Sequence, residues 1–146
     1  MIWKVSIDGG TPQQITDHIA LAPKVSPDGK LLMYLFAESA DPFAPPNRVA
    51  IVPFEGEGDR KTLEIPASST TAIVVQWSAD SKSIIYSVNS SNVSNLWTIP
   101  IAGGSPKQIT NFTDSLITGF AFGLDGQLAC TRGILRRDAV LITDMK

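Results

Sequence analysis

Apolar positions along the chain fall in short runs, several alternating with polar ones, and each run is soon closed by Gly, Pro, Asn or Asp. Runs at 31–36, 84–88 and 128–131 have the length and β-branched or aromatic content of strands, and helix is predicted to be nearly absent, with more than half of the residues in antiparallel strands. The same punctuation precedes each of these runs. Ser26, Pro27, Asp28, Gly29 and Lys30 stand before the first, Ser78, Ala79, Asp80, Ser81 and Lys82 before the second, and Gly123, Leu124, Asp125, Gly126 and Gln127 before the third. A bulky apolar residue (Val25, Trp77, Phe122) comes just ahead of each turn. This is the grammar of a β-hairpin: Asp offers a side-chain acceptor to the turn, and Gly accepts the positive φ that the turn requires.

A second pattern alternates with the first. Residues 2–16 (IWKVSIDGGTPQQIT) align with residues 96–110 (LWTIPIAGGSPKQIT) at an offset of 94, and a weaker copy at 49–56 lies midway, with Ala50 in the place of Trp. Three copies of one unit are present, each carrying four strands: one ending at the Asp turn, one after it, a third carrying the Trp and a fourth carrying Gln-Ile-Thr. The Gly9-Gly10 and Gly103-Gly104 pairs supply the turn between the third and fourth strands. Four-stranded units at a spacing of about 45 to 50 residues are the signature of β-propeller blades.

The segments at 25–30 and 77–82, together with the Gly-Gly, Pro and Gln-Ile-Thr elements, resemble the WD40-like PD40 repeats of TolB-type β-propellers. The stretch at 120–142 is similar to the C-terminal end of propellers attached to bacterial serine/threonine kinases and winged-helix regulators. The resemblance implies an all-β, partial β-propeller of about three to four four-stranded antiparallel blades, an open arc or a fragment of a longer propeller. Its divisions are a partial blade at 1–16, blades at 17–66 and 67–110, and a partial blade at 111–146. Strands are expected at 2–5 and 13–16, and the last partial blade is expected to end after its third strand. By this count Lys146 is a true terminus, and Met1 cuts into a longer propeller or the partner blades lie on another chain.

Composition narrows the function classes. Twelve Lys and Arg against 14 Asp and Glu leave a net charge of −2, and charged residues make up only 18% of the chain, so no basic surface for a phosphate backbone is expected. A single cysteine, Cys130, excludes an internal disulfide and any Cys-based zinc site, and a single histidine, His18, removes most metal and acid–base constellations. No metal and no cofactor is predicted. There is no basic segment followed by an apolar one near the start, and no run of 18 to 20 apolar residues, so neither export nor membrane insertion is encoded in this segment.

Residues of chemistry-bearing type have competing structural readings. Asp28, Asp80 and Asp125 each sit at a turn with a local backbone partner and are read as structural. Trp3, Trp77 and Trp97 are read as packing between blades. His18, without a second ligand at useful spacing, reads as a surface residue. Cys130 lies in an apolar strand where a thiol is inert, and no Gly-x-Ser-x-Gly elbow exists, so no catalytic residue is assigned and no hydrolase activity is expected.

Binding is instead expected on the face carrying the longer loops, at 17–21, 37–48, 67–71, 89–95, 111–116 and 132–138. On that face His18, Asp41, Phe43, Asn92, Asp114, Arg132, Arg136 and Arg137 are the candidate binding residues. Phe43, in the stiff Pro-rich loop at 37–47, is the expected anchor, and the three arginines with Asp138 form either a solvated loop or an anion-recognising corner. The expected function is a non-catalytic protein- or ligand-binding module, the sensory C-terminal part of a larger bacterial protein. The alternatives are the propeller of a Tol-Pal periplasmic component, or the substrate-gating propeller of a tricorn or prolyl-oligopeptidase type peptidase. Expected partners are a protein or peptide, and either missing blades of the parent chain or further copies of this one, with no nucleic acid. The resemblance implies a periplasmic or extracytoplasmic setting, and a cytoplasmic one fits the sequence too.

Overall fold

The computed structural model describes residues 1–39, 41, 44–55, 58–65, 74–123 and 126–134. Within them lie twelve β-strands and no helix, arranged as four antiparallel sheets. Sheet I pairs β1 (Trp3–Lys4) with β2 (Gln13–Gln14). Sheet II is a meander of β3 (Leu21–Val25), β4 (Leu31–Phe36), β5 (Arg48–Pro53) and β6 (Lys61–Glu64). Sheet III repeats it with β7 (Val75–Trp77), β8 (Ser83–Ser90), β9 (Val93–Pro100) and β10 (Lys107–Gln108). Sheet IV is the hairpin β11 (Leu116–Phe122) and β12 (Leu128–Gly133). Strands hold just under half of the described residues.

The strands of the Gln-Ile-Thr segments are short for a local reason. The Ile2 N–H donates to Thr16 Oγ1 at 2.9 Å, and the Leu96 N–H donates to Thr110 Oγ1 at 2.8 Å. Gln14 Nε2 donates to the Thr16 carbonyl at 2.7 Å, and Gln108 Nε2 to that of Thr110 at 2.6 Å. Ile15 N–H reaches the Ile2 carbonyl and Ile109 N–H the Leu96 carbonyl, both at 2.9 Å. The Thr hydroxyl thus substitutes for a ladder partner, so the fourth strand needs only two regular residues. Strands expected at 2–5 and 13–16 accordingly contract to β1 and β2.

The Asp turns are as uniform. Ser26 Oγ donates to Asp28 Oδ1 at 2.6 Å and accepts the Leu31 N–H at 2.9 Å, while Asp28 Oδ1 accepts the Lys30 N–H at 3.1 Å. Ser78 Oγ likewise donates to Asp80 Oδ1 at 2.6 Å and accepts from Ser83 N–H at 2.9 Å, and Asp80 accepts from Lys82 N–H at 3.0 Å. The serine hydroxyl, and after it the backbone N–H, hold both carboxyls below the ordinary aspartate pKa. Gly29 takes φ +74° in the first turn, and Ser81 takes φ +60° at the same place in the second. A side chain there is strained, but Ser81 Oγ accepts the N–H of Asp28 at 3.1 Å and so ties the two turns together. The third turn is one residue shorter, closed by Gly123 N–H to Gln127 carbonyl at 2.8 Å, and Asp125 lies outside the described residues.

The sheets stack in chain order, because alternate residues of each central strand face opposite neighbours. On β4, Met33 and Leu35 join Val49, Ile51 and Leu63 against Val75, Trp77, Ile84 and Tyr86 of sheet III. The alternate residues Leu32, Tyr34 and Phe36 pack with Ile2 of sheet I. From sheet III, Ile85 and Leu96 face Ile117 and Phe120 of sheet IV. Trp77 is buried and its Nε1–H donates to the Lys24 carbonyl of sheet II at 2.9 Å, and Trp97 packs half-buried at the same boundary. Trp3 differs from the expectation. It is 54% exposed, since no sheet among the described residues lies on its side of sheet I.

Candidate binding pocket

Two of the longer connections meet at the edge of sheet II. Residues 17–20 lead into β3 and residues 37–47 join β4 to β5, and between them is a cavity of about 140 Å³. Ile19, Leu21, Phe36 and Pro46 give it apolar walls, and His18 and Asp41 bring polar groups. The sequence makes this pocket by placing the aromatic residues of β4 on the face turned towards sheet I, where residues 17–20 cross them.

His18 is half-buried, its side chain 32% exposed. Its ring lies 5.8 Å from that of Tyr34 and 5.6 Å from that of Phe36, centroid to centroid, the latter edge-on. Nδ1 lies 2.9 Å from Asp17 Oδ1, whereas Nε2 is buried and has no hydrogen-bond partner. Asp17 is exposed, and its pKa is lowered, first by the side-chain hydrogen bond to His18, then by a backbone N–H and the histidine's charge, with Arg60 adding a small contribution. The Arg60 guanidinium sits 5.3 Å from the centroid of the Phe36 ring. Nothing local in the sequence marks this cluster, because His18 and its aromatic neighbours are 16 and 18 positions apart.

The 37–47 loop is organised from its base. Asp41 N–H donates to Ser39 Oγ at 3.1 Å, and Ala44 N–H donates to the Asp41 carbonyl at 3.1 Å. Arg48, which the sequence reading missed, donates from Nη1 to Glu64 Oε1 at 2.6 Å. Its Nε lies 3.0 Å from Glu38 Oε2, close enough for charge attraction but off the N–H axis. Glu64 foremost, with Glu38 beside it, raises the Arg48 pKa. The guanidinium thereby holds the start of the loop against β6. Phe43, the expected anchor, lies outside the described residues.

The remaining candidates gather elsewhere. Arg132 Nη2 donates to both the carbonyl and Oδ1 of Asp114, each at 2.6 Å, and its guanidinium stacks 3.8 Å from the Phe112 ring centroid. Asn95 completes the clamp, accepting the Phe112 N–H at 2.7 Å and donating to the Phe112 carbonyl at 3.1 Å. Arg132 is therefore paired and stacked in holding the loop ahead of β11. Arg136 and Arg137, like the loop at 67–71, lie outside the described residues. The loop expected at 89–95 is instead the end of a tight hairpin: Ser90 pairs with Val93, and Ser91 and Asn92 form its two-residue turn with φ of +49° and +68°. Asn92 serves there as a residue that tolerates the left-handed region. Ser94, polar but fully buried, bonds to Asn89 through its hydroxyl and to Ser115 through its N–H.

The structure thus brings His18 and Asp41 to one cavity and Asp114 and Arg132 to one ion pair. Among the described residues no three His, Cys, Asp or Glu side chains converge as metal ligands would. Compared with known proteins, the chain matches no protein-family model and no curated protein sequence at a significant level.

Proposed function

We propose that the chain is an arc of a TolB-like β-propeller and that its longer-loop rim binds a peptide segment, with the pocket beside His18 taking one apolar side chain. Support for the arc comes from the meander order of sheets II and III, the shared turn chemistry and the face-to-face stacking in chain order. The observation that carries the binding reading is the unpartnered, buried His18 Nε2 in the wall of a cavity with apolar sides. At about 140 Å³ the space is several water volumes, enough for a leucine- or methionine-sized side chain and too small for a nucleotide. A peptide N–H alongside would give Nε2 the partner it lacks.

A binding role is favoured over catalysis by the same atom. Asp17 and His18 form the orienting half of an acid–base pair, but a nucleophile must be hydrogen-bonded to the far nitrogen, and here that nitrogen meets no hydroxyl or thiol. The test is a titration of the isotope-labelled chain with N-acetyl amino-acid amides, one side-chain type at a time, read by amide chemical shifts. Leucine or methionine derivatives are expected to move the His18, Ile19 and Ser39 signals with a Kd of about 1 mM, typical of so small a ligand, and Ala37→Trp, which fills the cavity, should abolish the response. Equal shifts from every derivative, or no shifts at the pocket, would overturn the reading.

A further inference from the structure

The first sheet has two unlike faces. Towards sheet II, Ile2 is buried among Leu32, Tyr34 and Phe36, and Lys4 bonds the Phe54 carbonyl at 3.1 Å and Glu55 at 2.9 Å. Trp3 on β1 is 54% exposed, Val5 and Ile7 after it are 56% and 100% exposed, and Met1 before it is 65% exposed. Scattered exposed hydrophobes need no explanation, but exposed apolar residues at four alternate positions, 1, 3, 5 and 7, in and around one strand do.

The molecule contains its own control for this stripe. Ninety-four residues later Trp97, Ile99 and Ile101 occupy the same places in the repeat, with Trp97 paired to Gln108 as Trp3 is to Gln14, and with the same threonine and glutamine bonds. There the stripe packs against the core formed with sheet II, which contributes Leu35, Ile51 and Leu63, with Ile65 just past β6. The exposed face of sheet I is therefore of the kind that a preceding sheet covers. Stacking also has a direction, since in every covered contact the following side of one sheet meets the preceding side of the next. Among the described sheets, IV is the one whose following side is open. Gly119, Phe120, Ala121, Ala129, Cys130 and Thr131 line a shallow hollow of about 310 Å³ at this hairpin, where the exposed Ala121, Ala129 and Thr131 leave room for an indole.

We infer that copies of this chain associate head to tail, the Trp3–Val5–Ile7 face of one copy seating on the following side of the β11–β12 hairpin of another. The contact is heterologous, so it gives a closed ring if the rotation between copies returns on itself and an open chain if it does not. It uses the first and last of the described sheets and leaves the pocket at His18 untouched, so its failure says nothing about ligand binding.

The experiment is sedimentation velocity of the full chain from micromolar to submillimolar concentration, with Trp3→Glu and Ala129→Arg as the two end variants and circular dichroism to check their folding. The wild type should grow in mass with concentration, and each variant alone should stay monomeric. An equimolar mixture of the two should form a dimer and stop, since the Ala129→Arg copy keeps its Trp3 face and the Trp3→Glu copy keeps its hairpin face. A wild type that stays monomeric, association that survives either substitution, or two monomeric variants that fail to pair on mixing would each overturn the inference. Should Trp3→Glu fail to fold, Val5→Lys tests the same face, with the same outcomes deciding.

Discussion

Thr110→Val isolates the device that closes each repeat. Valine keeps the shape of threonine and removes the hydroxyl, which accepts the Leu96 N–H at 2.8 Å and donates to Asn95 Oδ1 at 3.0 Å. Asn95 keeps the Phe112 N–H as a donor, so the acceptor side is not orphaned. Leu96, in contrast, is fully buried, and its N–H is left facing a methyl group with no water to replace the lost bond. An unsatisfied buried donor costs about 1–3 kcal/mol. For a domain of this size each kcal/mol lowers Tm by roughly 2–4 °C, so the variant should melt about 2 to 12 °C below the wild type. Urea denaturation followed by circular dichroism at low protein concentration, which keeps association out of the measurement, should give the same ordering with an unchanged slope. Thr110→Ser is the control: it retains the hydroxyl and loses one methyl group, worth less than about 1 kcal/mol. If Thr110→Val were as stable as the wild type, or if serine were as damaging as valine, the hydroxyl would not be the closing element.

Two more perturbations test the turns. Ser81→Ala keeps a side chain at φ +60° while orphaning the Asp28 N–H, whereas Ser81→Gly loses the same bond but relieves the backbone, so alanine should be the less stable of the two by about 1 kcal/mol in urea midpoints; equal midpoints would show that the second turn carries no strain. Asp17, Asp28 and Asp80 all have folded pKa values below the ordinary 3.8, so their stabilisation is present above that value and is lost as pH falls through the lower folded values. The urea midpoint should drop on acidification below about pH 4, and a double Asp28→Asn, Asp80→Asn variant should be weaker at neutral pH and less sensitive to acid, a flattening that an unchanged acid limb would contradict.

What could be read from the sequence was whatever is written in consecutive residues. The Ser-x-Asp turns and the Gln-Ile-Thr closures are bonded within a few positions or across one hairpin, so their spacing carries the geometry directly. The misread places are those where polar residues are satisfied from a distance. The Asn- and Ser-rich stretch around 89–95 looks like a loop, yet its strands run on to a two-residue turn because Ser94 finds Asn89 across the hairpin and the Ser115 carbonyl just ahead of β11. Arg48 drew no attention as a lone cation, and its role depends on Glu38 and Glu64 arriving from two different segments. The aromatic surroundings of His18 were equally out of reach, being set by which face of β4 turns towards sheet I.

Trp3 and Trp97 separate these two kinds of information within one molecule. Their flanking residues, strand register and hydroxyl closures match, so any difference in burial between them is not a matter of local propensity. One packs at the boundary with a neighbouring sheet and the other is open to solvent because, within the described residues, sheet II precedes sheet III and nothing precedes sheet I. A repeat thus encodes what kind of face each strand presents, while the order of sheets along the stack decides which faces are filled. Stability in such a stack is close to a sum over units and the boundaries between them, so an open boundary forgoes one interface's share of the free energy while leaving the local bonds of sheet I intact. It follows that sheets I and IV, each with one open side among the described sheets, should exchange their amide hydrogens ahead of β8 and β9 at the centre, and that whatever covers Trp3 should slow that exchange in sheet I.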